Sequence, residues 1–196
     1  MLKIYNTLTK EKANFKPIEK GKVKIYVCGP TVYNSPHIGH ARSAYVFETV
    51  RKYFEHIGFE VIFVRNVTDV DDKIINKAAG ELADAVGKDD GYVLKEKCRE
   101  VAKRYLDEYH KALDMLDIKR PDYEPKATEN IKEMIHFIEV LIEKGCAYAA
   151  GGNVYFSVES FDKYGELSGQ DVEKMRSGAC VDADRDKRYQ LDFALW

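Results

Sequence analysis

A chain of 196 residues with 45% hydrophobic and 33% charged residues can form one domain, or two small ones, around a buried core. A formal net charge of -2 and a pI of about 6.2 exclude a global basic field for nucleic acid and leave only local patches. The opening residues carry no apolar leader and no apolar run approaches a membrane span, so a cytoplasmic protein without membrane contact is expected.

Residues 22–28 (KVKIYVC) are rich in β-branched and aromatic side chains and stop at Gly29-Pro30, which predicts a strand. From 39 to 57 the apolar residues Ala44, Phe47, Val50, Phe54 and Ile57 recur at helical spacing, with Gly58 placed to end the helix. Residues 59–64 (FEVIFV) read as a second, more buried strand. Strand, helix and strand with short connections make a βαβ unit, which binds ligands at the end of its first strand. A looser connection is expected at 80–91, then a helix over 94–116 with Ala102, Tyr105, Leu106, Tyr109, Leu113 and Leu116 on one face. Pro121 and Pro125 forbid helix continuation and mark a boundary. Beyond it, Thr128 is expected to cap a helix that turns Ile131, Met134, Ile135, Ile138, Leu141 and Ile142 inward and ends at Gly145. A hairpin around Gly151-Gly152 follows, then a glycine-rich and charged stretch up to 191–196 (LDFALW).

The chemistry concentrates between Cys28 and His40 (CGPTVYNSPHIGH). A thiol stands at a strand end, and two imidazoles, His37 and His40, stand three residues apart at a helix start. A bare H-x-x-H matches surface residues as readily as a site. At a strand-to-helix crossing its N–H groups can donate to phosphate oxygens, with Gly39 between them open to close approach by a base or phosphate. A cysteine ending a strand is more often a small hydrophobe, and one thiolate does not make a zinc site. Asp69, Asp71 and Asp72 do not fit a calcium loop, and Asp69 or Asp71 is expected to cap a helix starting at Lys73, while Thr68 should face the same crevice as Cys28. The four cysteines, Cys28, Cys98, Cys146 and Cys180, form no C-x-x-C pair and no disulfide framework. Residues 174–178 (KMRSG) depart from a Lys-Met-Ser-Lys-Ser nucleotide loop at two positions and are expected to be an exposed linker.

The stretches YVCGPTVYNSPHIGH, RNVTDVDDKIINKA, RPDYEPKATENI, YGELSGQ and DKRYQLDFALW, in this order along nearly the whole chain, resemble cysteinyl-tRNA synthetase, a class I aminoacyl-tRNA synthetase. The resemblance implies an α/β fold. Residues 1–118 would be the first half of a Rossmann-like (HUP-type) catalytic domain with a parallel sheet. Residues 119–196 would be an incomplete α+β connective-peptide insertion. It implies that Cys28 is the first ligand of a zinc that selects the substrate thiol, and that residues from Pro30 to His40 form the first ATP signature. His37 and His40 would be catalytic at the α-phosphate, Gly39 would lie beneath the adenine, and Gly29, Thr31 and Thr68 would line the cysteine pocket. Substrates would be L-cysteine, ATP with magnesium, and tRNA-Cys. The family's other zinc ligands, its Lys-Met-Ser-Lys-Ser loop and its anticodon-binding domains lie beyond the last motif matched here. The expectation is therefore an excised piece or a split or truncated gene product, inactive alone, poor at retaining zinc, and a partner for a missing C-terminal half or a complementing polypeptide. Its exposed apolar surface is expected to favour self-association. Two rival expectations are a ligase joining cysteine to an amino sugar, as in mycothiol synthesis, and a non-catalytic binding module.

Overall fold

The computed structural model describes residues 2–83, 91–170 and 186–196. Cys180, residues 174–178 and most of the connection expected at 80–91 lie outside the described residues. The chain packs as two compact units, Pro17–Ile131 and Met1–Lys16 with Lys132–Trp196.

In the first unit, β3 (Lys22–Val27) leads through α1 (Ile38–His56) into β4 (Glu60–Arg65), and the two strands pair in parallel from Lys22↔Glu60 to Val27↔Arg65. The expected βαβ unit is therefore present. The strand pair continues past its ends as a bridge between Thr31 and Thr68, where Val32 N donates to Thr68 O at 3.2 Å and Thr68 N to Pro30 O at 3.1 Å. Beyond β4 come α2 (Asp72–Ala83) and α3 (Gly91–Met115), which pack against each other. Asp71 starts α2, accepting from Lys73 N at 2.8 Å, as its capping chemistry predicts.

The core joins the end of the β3 loop to these helices through Val32, Ala44, Val67, Ile74, Val101 and Leu113. Five of the six residues predicted to share the inner face of α3 are buried. Leu116 is 42% exposed because the helix stops at Met115, and Ile118 takes the place in the core. On α1 the apolar stripe is only half of the buried face. Ala44 and Phe54 are buried, but Glu48 and Arg51 are buried between them and bond to each other. Arg51 also donates to the carbonyls of Lys119 and Arg120, both at 3.0 Å, so the helix is tied to the segment following α3.

That segment holds the two prolines. Rather than only separating elements, it lies parallel along the free edge of β4, with bridges Val64↔Tyr123 and Val67↔Lys126. Arg65 N donates to Tyr123 O at 3.1 Å and Val67 N to Pro125 O at 2.9 Å. Thr128 does not cap a helix with its side chain. Its N–H and hydroxyl donate to Asp69, at 2.9 and 2.5 Å, inside the short 3-10 turn Ala127–Asn130.

The second unit holds an N-terminal hairpin, β1 (Lys3–Asn6) with β2 (Glu11–Asn14), and α4 (Ile131–Glu143) runs into it. A second hairpin follows, β5 (Ala147–Ala150) with β6 (Asn153–Phe156), turning at Gly151-Gly152 where both φ are positive. β7 (Phe193–Ala194) adds to β6. Asp192, 2% exposed, anchors this end by accepting from the Tyr148 hydroxyl at 2.6 Å, Val158 N at 2.9 Å and Tyr189 N at 3.1 Å. Burial pushes the Tyr148 hydroxyl above its ordinary pKa, and the Asp192 carboxylate adds to the rise. Of the six residues expected to turn inward on α4, only Ile138 is buried. Helical spacing marks an apolar face, but burial requires a surface to pack against. No helix among the described residues is long and apolar enough to cross a membrane.

Candidate active site

The loop from β3 to α1, the end of β4 and the buried face of α3 enclose a cleft of about 310 Å³. Cys28, Gly29, Pro30, Thr31, His37 and His40, all singled out in the sequence, line it. Gly39 and Thr68 do not line it directly.

The two histidines build the start of α1. His37 is its N-cap, and its Nδ1 accepts from Gly39 N at 3.1 Å. His40 answers across the turn, its Nδ1 accepting from His37 N at 3.2 Å. This reciprocal arrangement satisfies two helix N–H groups that otherwise lack partners, in the manner of a capping box. It brings the rings to 4.0 Å between centroids, tilted by 45°. A neutral imidazole that accepts at Nδ1 carries its proton at Nε2. The cap therefore fixes both rings as Nε2–H donors. His40 is held below the ordinary histidine pKa, first by desolvation and then by the neighbouring His37, which favours this neutral form. No acidic residue occupies the first turn, so the positive end of the helix dipole is left to a ligand.

Gly39 is required by this pair of rings. A Cβ there would lie 2.8 Å from His37 Cε1 and 2.9 Å from its Nδ1, so the space beside the glycine is filled by the capping imidazole. Gly29 is required by the backbone. A Cβ on it would meet the Asn66 carbonyl oxygen at 1.6 Å, where the chain leaving β3 crosses the chain leaving β4. Asn66 holds the crossing together. Its Oδ1 accepts from Gly29 N at 2.8 Å and from the Tyr26 hydroxyl at 3.0 Å, and its Nδ2 lies 3.5 Å from Thr68 Oγ1. Thr68 thus supports the cleft floor through Asn66 and the bridge to Thr31.

Cys28 is exposed and its thiol is free, so it is not the small core residue that a strand-end cysteine often is. Among the described residues no group of three or more His, Cys, Asp and Glu could hold a metal ion, so the residues present do not make a zinc site. Cys98 and Cys146 are also free thiols.

The sequence motifs do not reveal the far wall of the cleft, formed by Arg65, Lys73, Tyr105 and Tyr109. Lys73 Nζ lies 5.3 Å from the centroid of the Tyr33 ring. Arg65 Nη1 donates to the Tyr109 hydroxyl at 3.3 Å. Burial raises the Tyr109 pKa, so its hydroxyl keeps its proton. The visible signal in the sequence is the apolar face of α3, which marks both tyrosines as core residues without showing that they also border a cavity. The described lining residues include two cations and no aspartate or glutamate. A carboxylate does reach Ser35, where Glu108 accepts from the hydroxyl at 2.6 Å.

A parallel βαβ unit with an anion-favouring cleft beyond its strand ends agrees with the family comparison. A family model described as tRNA synthetases class I (C) catalytic domain matches residues 14–196, which makes this a class I aminoacyl-tRNA synthetase catalytic domain. The chain is 52% identical over 195 residues to a cysteine–tRNA ligase of Carboxydothermus hydrogenoformans, 51% over 196 residues to one of Syntrophobacter fumaroxidans, and 50% over 195 residues to one of Bacillus pumilus. The chain belongs to the cysteinyl-tRNA synthetase family. All of it is matched, but it spans only 39%, 37% and 39% of these relatives' lengths. Among solved structures, a Campylobacter jejuni protein described as an arginyl-tRNA synthetase matches with a TM-score of 0.50 and 17% identity over 72% of this chain and 38% of that one, a likeness of fold alone.

Proposed function

We propose that these residues supply one wall of the adenylate-forming site of a cysteine–tRNA ligase. In that reaction the carboxylate of L-cysteine attacks the α-phosphorus of ATP, the bond to the pyrophosphate leaving group breaks, and the cysteinyl group then passes to tRNA-Cys. The observation that carries the reading is the Nδ1-locked histidine pair at the N-terminus of α1. Chemistry at phosphorus needs prepositioned donors for negative charge developing on non-bridging oxygens, and two Nε2–H groups beside a helix N-terminus suit that need without a proton transfer. Pro30 and Gly39 belong to the reading as parts of the ATP-binding turn, and Gly29, Thr31 and Thr68 as the frame of the cysteine pocket. Cys28 enters as a zinc ligand on the family resemblance alone, since among the described residues it belongs to no group of three or more His, Cys, Asp and Glu that could hold a metal ion. ATP use is supported by membership of the class I synthetase family and is part of the proposal. Magnesium, L-cysteine and tRNA-Cys are part of the proposal.

The division of the parent enzyme into a Rossmann-like half over 1–118 and a connective-peptide insertion over 119–196 is likewise proposed. It differs from the compact division at residue 131 because residues 123–126 extend the sheet of the first unit.

The test is cysteine-dependent exchange of pyrophosphate into ATP. A polypeptide that carries these residues at the relatives' full length should exchange with cysteine and not with serine, and the 196-residue chain alone should not exchange. Exchange by the full-length polypeptide with a different amino acid overturns the substrate, and exchange by the short chain overturns the claim that it forms one wall only.

A further inference from the structure

We infer that Arg65 is the oxyanion-holding residue of the cleft, its guanidinium taking the carboxylate or phosphate group of a reactant. The inference rests on, and deepens, the adenylate-forming reading. Arg65 ends β4 and is only 3% exposed. A charge withdrawn from water this far is ordinarily matched by an opposite charge or by a full set of acceptors. Arg51 shows the ordinary case in the same sheet-and-helix packing, with Glu48 and two backbone carbonyls around it. Arg65 has neither. Among the described residues no carboxylate lies within ion-pair distance, and one neutral acceptor, the Tyr109 hydroxyl, takes one of its five N–H donors. The Phe63 ring, 5.2 Å from the guanidinium carbon, supplies a face but no acceptor.

The idle donors are not sealed away. The arginine nitrogens that are both fully enclosed and unbonded are Arg51 Nε and Arg120 Nη1, and none belongs to Arg65. They open instead to the cleft that Arg65 lines with Cys28, Gly29 and His37. The nearby acids are engaged elsewhere, Glu108 with Ser35 and Glu124 with His110 through both of its oxygens at 3.0 and 2.9 Å. A planar guanidinium with several free donors matches an oxyanion in two-point geometry, and binding returns the acceptors it lost on burial. Gly29 sets the position, since its missing Cβ would stand 3.2 Å from Arg65 Cγ. The root of the side chain is thereby fixed against Gly29, which belongs to the proposed frame of the cysteine pocket, while its guanidinium lines the same cleft.

The Nε–H resonance of Arg65, assigned by through-bond correlation in the isotope-labelled wild-type chain, reports on this in the 196-residue chain. It is followed in separate titrations with inorganic phosphate, AMP, L-cysteine, cysteamine and chloride. A saturable shift with L-cysteine but not cysteamine identifies a carboxylate as the ligand, and one with AMP identifies a nucleotide phosphate. A saturable shift with inorganic phosphate but with neither AMP nor L-cysteine keeps the arginine site and counts against the adenylate-forming reading. Arg65→Lys, which keeps the charge but not the fork, should weaken the responding anion about tenfold, read from the Gly29 and Asn66 amide shifts. No saturable response at tens of millimolar, or a response equal to that with chloride, overturns the inference on the wild-type chain alone, whether or not the variant folds. Equal affinity in a folded Arg65→Lys overturns it as well.

Discussion

Replacing Gly29 by alanine tests the geometry on which the cleft depends. The added methyl would begin 1.6 Å from the Asn66 carbonyl oxygen and 2.7 Å from its carbon, both backbone atoms. Ordinary contact between such atoms is about 3.5 Å, so the two chains must part by roughly 2 Å. Overpacking of this kind costs about 1–3 kcal/mol where the surroundings can yield. Here yielding also strains the bond from Gly29 N to Asn66 and the two backbone bonds that join Pro30 and Val32 to Thr68, each worth about 1 kcal/mol net. With all three bonds lost the total is about 4–6 kcal/mol, a large share of the roughly 5–15 kcal/mol that keeps a typical protein folded. Urea unfolding of Gly29→Ala should show the loss as a lower midpoint. Gly80→Ala, on α2 where a Cβ meets nothing within 4 Å, should instead gain about 0.5–1 kcal/mol. A Gly29→Ala chain within about 1 kcal/mol of wild type, a typical effect for any substitution, refutes the crossing as described.

His37→Ala should lose about 1 kcal/mol with the helix cap, while His37→Asn, which keeps a capping acceptor, should melt near wild type. In a full-length enzyme both variants should nevertheless lose about 100-fold or more in pyrophosphate exchange, and retained activity in the asparagine variant would falsify the donor role. Because the folded-state pKa of His40 is depressed below its ordinary 6.5, the stability tied to the neutral ring is complete above that value and is lost as pH falls through the lowered pKa. Thermal melts from neutral to mildly acidic pH should therefore fall less steeply for His40→Gln than for wild type, and parallel curves would exclude the effect. Asp192→Ala should leave the Tyr148 hydroxyl and Val158 N–H without acceptors in the interior, costing about 3 kcal/mol or more. Rapid amide exchange confined to β5–β7 is the expected signature, and unchanged protection would remove Asp192 as the anchor.

The elements with a strong apolar period are legible in the sequence alone. The βαβ unit, α3 and the Gly-Gly hairpin all stand within a few residues of their expected places. What is not legible depends on partners remote in sequence. The hairpin of β1 and β2 is exposed at every residue and so carries no burial pattern. Glu48 and Arg51 read as surface charges on α1, because nothing local shows that the carbonyls of Lys119 and Arg120 wait for them. In the cleft, residue type points to Cys28, His37 and His40, but not to the use of each imidazole's inner nitrogen. Residue type assigns Gly39, and the family resemblance Gly29, to a ligand's surroundings, whereas the atoms nearest to a Cβ built on either belong to the protein itself. Arg65 stands in the sequence as the first letter of a loop motif, and only the fold shows that its side chain turns inward.

The parallel segment beside β4 gives the sheet a direction of growth. Residues 122–126 already occupy one flank, accepting from Arg65 N and Val67 N and donating from Asp122 N to Phe63 O. Pro121 and Pro125 have no N–H to offer a further strand there, which blunts that border against chance pairing. On the other flank, β3 from Val23 to Val27 has no strand beside it among the described residues. Any polypeptide that enlarges this sheet must therefore add next to β3, and in doing so it arrives alongside Cys28.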